Sequence, residues 1–249
     1  TVENECLVNA PNWLPLTFAA GDGAWLDLGE MEVLNYQLEL DLRRGVLTRR
    51  LRVRDGRGRI TRATCRRFVH MWTPHLAAME TTIVPENWSG RLRVRSELDG
   101  AVQNTGVPRY RELASRHLVP VEARSLDDAA VLLVVETSQS HIRIAEAART
   151  RMFRNGARVA EDPPVIGGAG RIGHEIVIDV AAEDEVTVEK TVAIATSRDH
   201  AVSDTATAAA AWLETADSFG EMLGQHVLAW AQLWARFPIE LRGSEDDRV

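Results

Sequence analysis

Side chains able to do chemistry are scattered along this chain of 249 residues. Its seven histidines are His70, His75, His117, His141, His174, His200 and His226, and the one close pair, His70 and His75, flanks Pro74 with no carboxylate cluster beside it. A metal site is therefore not expected, and packing or surface roles are. Cys6 and Cys65 are too few for a zinc site or a disulfide framework and read as ordinary thiols. Gly168, Gly170 and Gly173 in "GGAGRIG" stand in the G-x-G-x-x-G order that can cradle a pyrophosphate. That fingerprint needs a helix N-terminus behind it, whereas "HEIVIDV" follows with a strand pattern, so a loop is expected. No G-x-S-x-G elbow occurs, and no pair of acids is singled out for glycoside chemistry.

Two residue types are concentrated enough to suggest surfaces. Eleven arginines fall between Arg43 and Arg67, against one lysine, Lys190, in the whole chain. Guanidinium groups on one strand face would make a positive stripe able to hold a polyanion. The preferred reading is a solvated face balanced by acids of neighbouring strands, such as Glu97, or by a partner domain. Of the seven tryptophans, Trp13, Trp25, Trp72 and Trp88 lie near expected loops, where indoles either stack on sugar rings or fill core and interdomain space. They are the candidate carbohydrate or interdomain contacts. Trp230 and Trp234, four apart, form one stripe of a helix and are expected to pack. "ENWSG" fits the glycosylation pattern and is read as an exposed turn at Glu86 to Gly90.

The elements that would position these groups are mostly strands. In "GVLTRRLRVRDGRGRITRATCRRFVHM" Leu47, Leu51 and Val53 share one parity while Thr48, Arg50, Arg52 and Arg54 take the other, the pattern of a half-buried strand. Asp55-Gly56 offers the positive φ of a tight turn, and Arg59 to Met71 returns. "GRLRVRSELDG" alternates in the same way. Four more β-branched segments, Ala129 to Ser138, Ser140 to Phe153, His174 to Ala182 and Glu185 to Ser197, are separated by turn formers. About eight to ten strands without intervening helices favour an antiparallel sandwich over a parallel α/β sheet. After Ser203 an alanine-rich stretch with Ser203 and Asp217 or Ser218 as N-cap candidates predicts two helices, with Leu223, Val227, Trp230 and Trp234 at helical spacing. The boundaries expected are a β-sandwich over 1–200 and a helical linker over 201–249.

Composition bounds the rest. A formal charge of -7 argues against a dedicated nucleic-acid binder, and no apolar run is long enough to span a membrane. The opening "TVENECLVN" lacks the order of a secretion signal, so a cytoplasmic location is expected. Because it starts at Thr1 and not Met, we expect either a processed protein or, as the preferred reading, an excerpt of a longer chain.

Several stretches together, "NAPNWLPLTF", "ELDLRRGVLTRRLRVRDGRGRITRATCRRFV", "PHLAAMETTIVPENWSGRLRVRSELDG" with "VQNTGVPRY", and "AWAQLWARFPIEL", resemble the N-terminal domain of glycoside hydrolase family 65. That family includes maltose, trehalose and kojibiose phosphorylases and acid trehalases. The resemblance implies a mainly β fold, a large antiparallel two-sheet β-sandwich of the galactose-mutarotase-like supersandwich type, followed by linker helices that lead into an (α/α)6 catalytic barrel. It implies inverting cleavage of an α-glucosidic disaccharide, with a barrel glutamate as acid and inorganic phosphate, or water, as acceptor. No cofactor or metal is implied, and no catalytic residue falls on this chain. The partners implied are its own barrel and the disaccharide, with a homodimer interface as a further role of the sandwich. Under this reading "NWLPL" supplies packing, with Trp13, Leu14 and Leu16 filling core or interdomain space.

Overall fold

The computed structural model describes residues 8–104, 115–159 and 163–237. Among them the strands run β1 (Leu16–Ala20), β2 (Glu32–Asp41), β3 (Val46–Arg54), β4 (Ile60–Val69), β5 (Leu76–Pro85), β6 (Gly90–Asp99), β7 (Leu118–Asp127), β8 (Ala130–Thr137), β9 (Arg143–Arg154), β10 (Ala157–Arg158), β11 (Val165–Gly168), β12 (Arg171–Val180) and β13 (Val186–Thr196). Helices α1 (Thr205–Glu214) and α2 (Phe219–Arg236) follow. The fold is mainly β, as the sequence predicts, and its strand pairs are antiparallel. A four-stranded sheet in the order β1-β6-β12-β11 faces a nine-stranded sheet in the order β2-β3-β4-β5-β13-β9-β8-β7, with β10 paired to β9.

Period-2 alternation decides which side chains enter the sandwich. Val186, Val188, Val192 on β13 and Ala148, Met152 on β9 are buried against Leu92, Val94, Leu98 of β6 and Ile172, Ile176 of β12. The opposite face of the large sheet is also apolar where the helices cover it, at Phe68, Ala78, Ala145, Ala147, Ala193 and Ala195. Ala209 and Leu213 of α1 and Phe219 and Met222 of α2 complete that layer. The result is three layers, sheet on sheet on helices.

Local chemistry places the helix starts. Asp204, one residue beyond the expected Ser203, accepts from the Thr207 amide at 2.7 Å. Ser218 caps α2 in a capping box with Glu221. The turn between β3 and β4 differs from expectation: positive φ falls at Gly58 rather than Gly56, and the Asp55 carboxylate holds the Arg57 and Arg59 amides of a longer loop. Asn87 of "ENWSG" secures that loop by accepting from the Ile60 amide at 2.6 Å and donating to the Gly58 carbonyl at 3.1 Å. "GGAGRIG" is the β11–β12 hairpin, with positive φ at Gly168, Ala169 and Gly170, so no helix stands behind it.

Candidate functional site

The tryptophans do not converge on one surface. Trp88 is 7% exposed in the sandwich core, donating its indole N–H to Thr61 Oγ1 at 3.0 Å, and leaves no ring face for a sugar. Trp13 is partly buried against the Leu98 and Ile172 end of the core. Trp25 lies on the outer face of the small sheet with the Arg93 and Arg95 guanidiniums 4.6 and 4.4 Å from its ring centroid. Trp72, between β4 and β5, is 72% exposed. Trp230 and Trp234 stack at 6.3 Å on α2, and Trp234 donates to the Leu42 carbonyl at 3.2 Å, so the pair packs on the β2–β3 turn.

The two close histidines serve separate contacts. His75 stacks on Trp212 of α1 at 3.7 Å, while His70 accepts from the Thr73 amide and lies 6.1 Å from His226. His226 bridges helix to sheet: its Nδ1 accepts from the Met71 amide at 3.0 Å and its Nε2 lies 3.2 Å from the Gly45 carbonyl. Burial holds both His70 and His226 below the ordinary histidine pKa, keeping the neutral rings this arrangement needs. Among the described residues no group of three or more His, Cys, Asp or Glu is placed to hold a metal ion.

Most of the arginine hairpin's outer face is neutralised in place. Arg50 pairs with Glu39 at 2.9 Å, Arg52 with Glu86 at 2.8 Å, Arg54 with Glu32 at 2.6 Å and Arg66 with Glu80 at 2.5 Å. The balancing acids thus come from β2, β5 and the loop after it. Glu97 is not among these partners.

Sequence reasoning missed a polar seam through the sandwich. Ser96, His174, Lys190 and Thr150 occupy corresponding steps of β6, β12, β13 and β9, with Ser96 opposite His174 and Lys190 opposite Thr150. They separate the Val94, Ile176, Val188, Met152 side of the core from the Leu98, Ile172, Val192, Ala148 side. Thr150 donates to Ser96 Oγ at 2.9 Å, and Lys190 Nζ donates to the Glu97 carbonyl at 2.6 Å and the Pro15 carbonyl at 3.1 Å, so all three bonds cross between sheets. Burial drives Lys190 down to about 7, against the opposing pull of Glu146 and Glu97. Burial likewise raises Glu146 to about 8, with Lys190 opposing and Asp99 adding to the rise. The visible signal was one lysine, in the middle of a β-branched run.

At the β1 edge the seam opens into a groove of about 360 Å³. Its floor is the inward face of β3 to β5, with Arg49, Cys65, Arg67, Met79 and Thr81, and its wall is Leu14 to Thr17 with Leu26 and Leu28. Arg49 shares the parity of Leu47, Leu51 and Val53, which is why it points inward.

The family model described as glycosyl hydrolase family 65, N-terminal domain, matches residues 1–233. The chain belongs to that family. An uncharacterised glycosyl hydrolase of Mycobacterium tuberculosis is 47% identical over 247 residues, covering 99% of this chain and 18% of the relative. A kojibiose phosphorylase of Halothermothrix orenii is 26% identical over 252 residues, covering 98% of this chain and 31% of its own length. The solved structure of a putative kojibiose phosphorylase from the human microbiome superposes with a TM-score of 0.77 at 16% identity, over 91% of this chain and 28% of that one. This family 65 N-terminal domain thus spans less than a third of each of these relatives. No helix among its described residues is long and apolar enough to cross a membrane.

Proposed function

We propose that this domain is the non-catalytic sandwich of an inverting phosphorylase or hydrolase acting on an α-glucosidic disaccharide such as kojibiose, trehalose or maltose, and that it braces an (α/α)6 catalytic barrel. The observation that carries the reading is the family match over residues 1–233, in a chain that covers only 31% of a kojibiose phosphorylase. Inorganic phosphate is then the co-substrate of the whole enzyme if it is a phosphorylase, with no cofactor. A phosphorolytic product carries a charge that a membrane retains, which fits work in the cytoplasm.

The surface supports a bracing role. Tyr36, Leu38 and Leu40 on edge strand β2, with Leu42 beyond it, are about half exposed, a continuous apolar row that a soluble sandwich would normally cover. The barrel, or a second copy of the enzyme, supplies such a cover. The experiment assays kojibiose, trehalose and maltose with phosphate, using the 249-residue chain and the full-length protein in parallel. The expected result is glucose phosphate or glucose from the full-length protein and none from the 249-residue chain. Turnover by the isolated domain refutes the proposal.

A further inference from the structure

The groove at the β1 edge holds two guanidiniums in a place where the rest of the arginine hairpin would not leave them. On the outer face of β3, Arg50, Arg52 and Arg54 each have a carboxylate within 2.9 Å. Arg49 and Arg67, turned inward and half-buried, have neither an ion pair nor a hydrogen-bond acceptor among the described residues. A partly desolvated charge without a partner is unfavourable, and this favours an anion from solution. The two positions are diagonal neighbours on one sheet face, since Arg49 stands opposite Cys65 and Arg67 lies two residues further along β4. That separation, about 7 Å at the backbone, lets two long side chains close on one tetrahedral oxyanion.

The same groove contains an unsatisfied hydroxyl. Thr81 is 5% exposed, lies directly across from Cys65, and its Oγ1 has no hydrogen-bond partner among the described residues. A buried hydroxyl without a partner is unfavourable, and a ligand oxygen would satisfy it. Two arginines against Glu97, the one acid among the lining residues, leave the lining net positive. The volume of about 360 Å³ exceeds what a bare oxyanion fills and falls in the range of small-molecule sites. Leu14, Leu16 and Leu26 give the remaining space an apolar wall suited to the body of an organic ligand.

We propose that this groove binds the phosphoryl group of a small organic phosphate, with Arg49 and Arg67 clamping its oxygens and Thr81 donating a third hydrogen bond. The site lies within the sandwich itself and stands independently of the barrel chemistry proposed above.

Cys65 offers a local readout, because its thiol lines the groove and is free. In the full-length protein, alkylation of Cys65 by N-ethylmaleimide is followed by peptide mass spectrometry with millimolar glucose 6-phosphate, inorganic phosphate, glucose, or sodium chloride at matched ionic strength. Ligand at a few times its Kd slows modification by about fivefold. Glucose 6-phosphate is expected to protect, with chloride and glucose without effect. Equal protection by inorganic phosphate supports recognition of the phosphoryl group itself; weaker protection assigns part of the affinity to the apolar wall. The double variant Arg49→Gln/Arg67→Gln should lose protection, its fold checked by circular dichroism. Thr81→Val, close to isosteric, should weaken protection and serves if the double variant does not fold. Absence of phosphate protection, equal protection by glucose, or protection that survives these substitutions overturns the proposal.

Discussion

Replacing Lys190 by methionine tests the polar seam most directly, because the competing terms can be separated by pH. Lys190 is fully buried and its Nζ spends two donors on carbonyls of the opposite sheet, at 2.6 and 3.1 Å. Burial lowers its pKa from an ordinary 10.5 to about 7, so keeping the ammonium charged in the folded state costs on the order of 5 kcal/mol, at 1.36 kcal/mol per tenfold change in proton affinity. Methionine fills similar volume, removes that cost and forfeits two hydrogen bonds worth about 1 kcal/mol each. Near pH 7, where Glu146 is itself raised to about 8 and so is left mostly neutral, the variant should therefore be the more stable protein by roughly 2–3 kcal/mol.

The sign of the pH dependence follows from linkage. A depressed lysine has its full stabilising share above the unfolded value of 10.5 and loses it as pH falls to about 7, because the unfolded chain binds the extra proton in that window. The advantage of Lys190→Met should shrink steadily between pH 7 and 10.5, change sign within that window and end as a deficit of about 2 kcal/mol, the two forfeited hydrogen bonds. Glu146 works in the opposite sense: raised from 4.5 to about 8, it stabilises fully below 4.5 and loses that share as pH rises to about 8. Glu146→Gln should flatten this lower limb alone. Urea unfolding of wild type and variants at a series of pH values, followed by tryptophan fluorescence, gives the differences, and titrations common to all the proteins cancel. A stability difference for Lys190→Met that stays constant across the alkaline range would refute the reasoning, since packing and hydrogen-bond losses alone carry no pH slope.

Two further outcomes test the helical layer and the tryptophan placements. Gly45 has φ +63° and its missing Cβ would fall into the Trp230 indole, 2.6 Å from Cε2, so Gly45→Ala combines left-handed strain with a clash and should cost about 2–4 kcal/mol in thermal or urea unfolding. Trp88→Ala should cost about 3–5 kcal/mol, because it empties a core site and strands Thr61 Oγ1, while Trp72→Ala, at 72% exposure, should stay within about 0.5 kcal/mol of wild type.

How much of this was legible in the sequence depends on which physical signal each element carries. The β3–β4 hairpin was readable because one face is apolar and the other charged, and β12 and β13 because β-branched residues cluster there. Strand β5, Leu76–Pro85, escaped because it is buried on both faces, core on one and helices on the other, so "LAAMETTIVP" shows no clean alternation. Strand β7, Leu118–Asp127, is an edge strand with Pro120 and two register shifts, and its pattern is broken at each. Arg49 was passed over for a related reason. It sits on the apolar parity of β3, where an arginine looks like an interruption of the pattern, and only the open groove beside β1 explains how it is tolerated.

The same parity argument joins the seam to the groove. A sandwich buries its two inner faces most cheaply when both are apolar throughout, yet here the large sheet carries Thr150, Lys190, Met79 and Arg67 in consecutive register across β9, β13, β5 and β4. Where the small sheet lies overhead, Lys190 is satisfied by carbonyls of that sheet, one on β6 and the other just before β1. At and beyond β1 the small sheet has no further strand, so Arg67 and Arg49 meet solvent instead of a carbonyl. The row that carries Lys190 and Arg67 thus runs on past the edge of its cover, and that mismatch, set by four strands facing nine, creates a positively charged recess without any inserted loop. Because Pro15 and Glu97 both line the groove and hold Lys190, occupancy there should also strengthen the tie between the sheets, and the binding of an oxyanion should raise the unfolding temperature of wild type more than that of Lys190→Met.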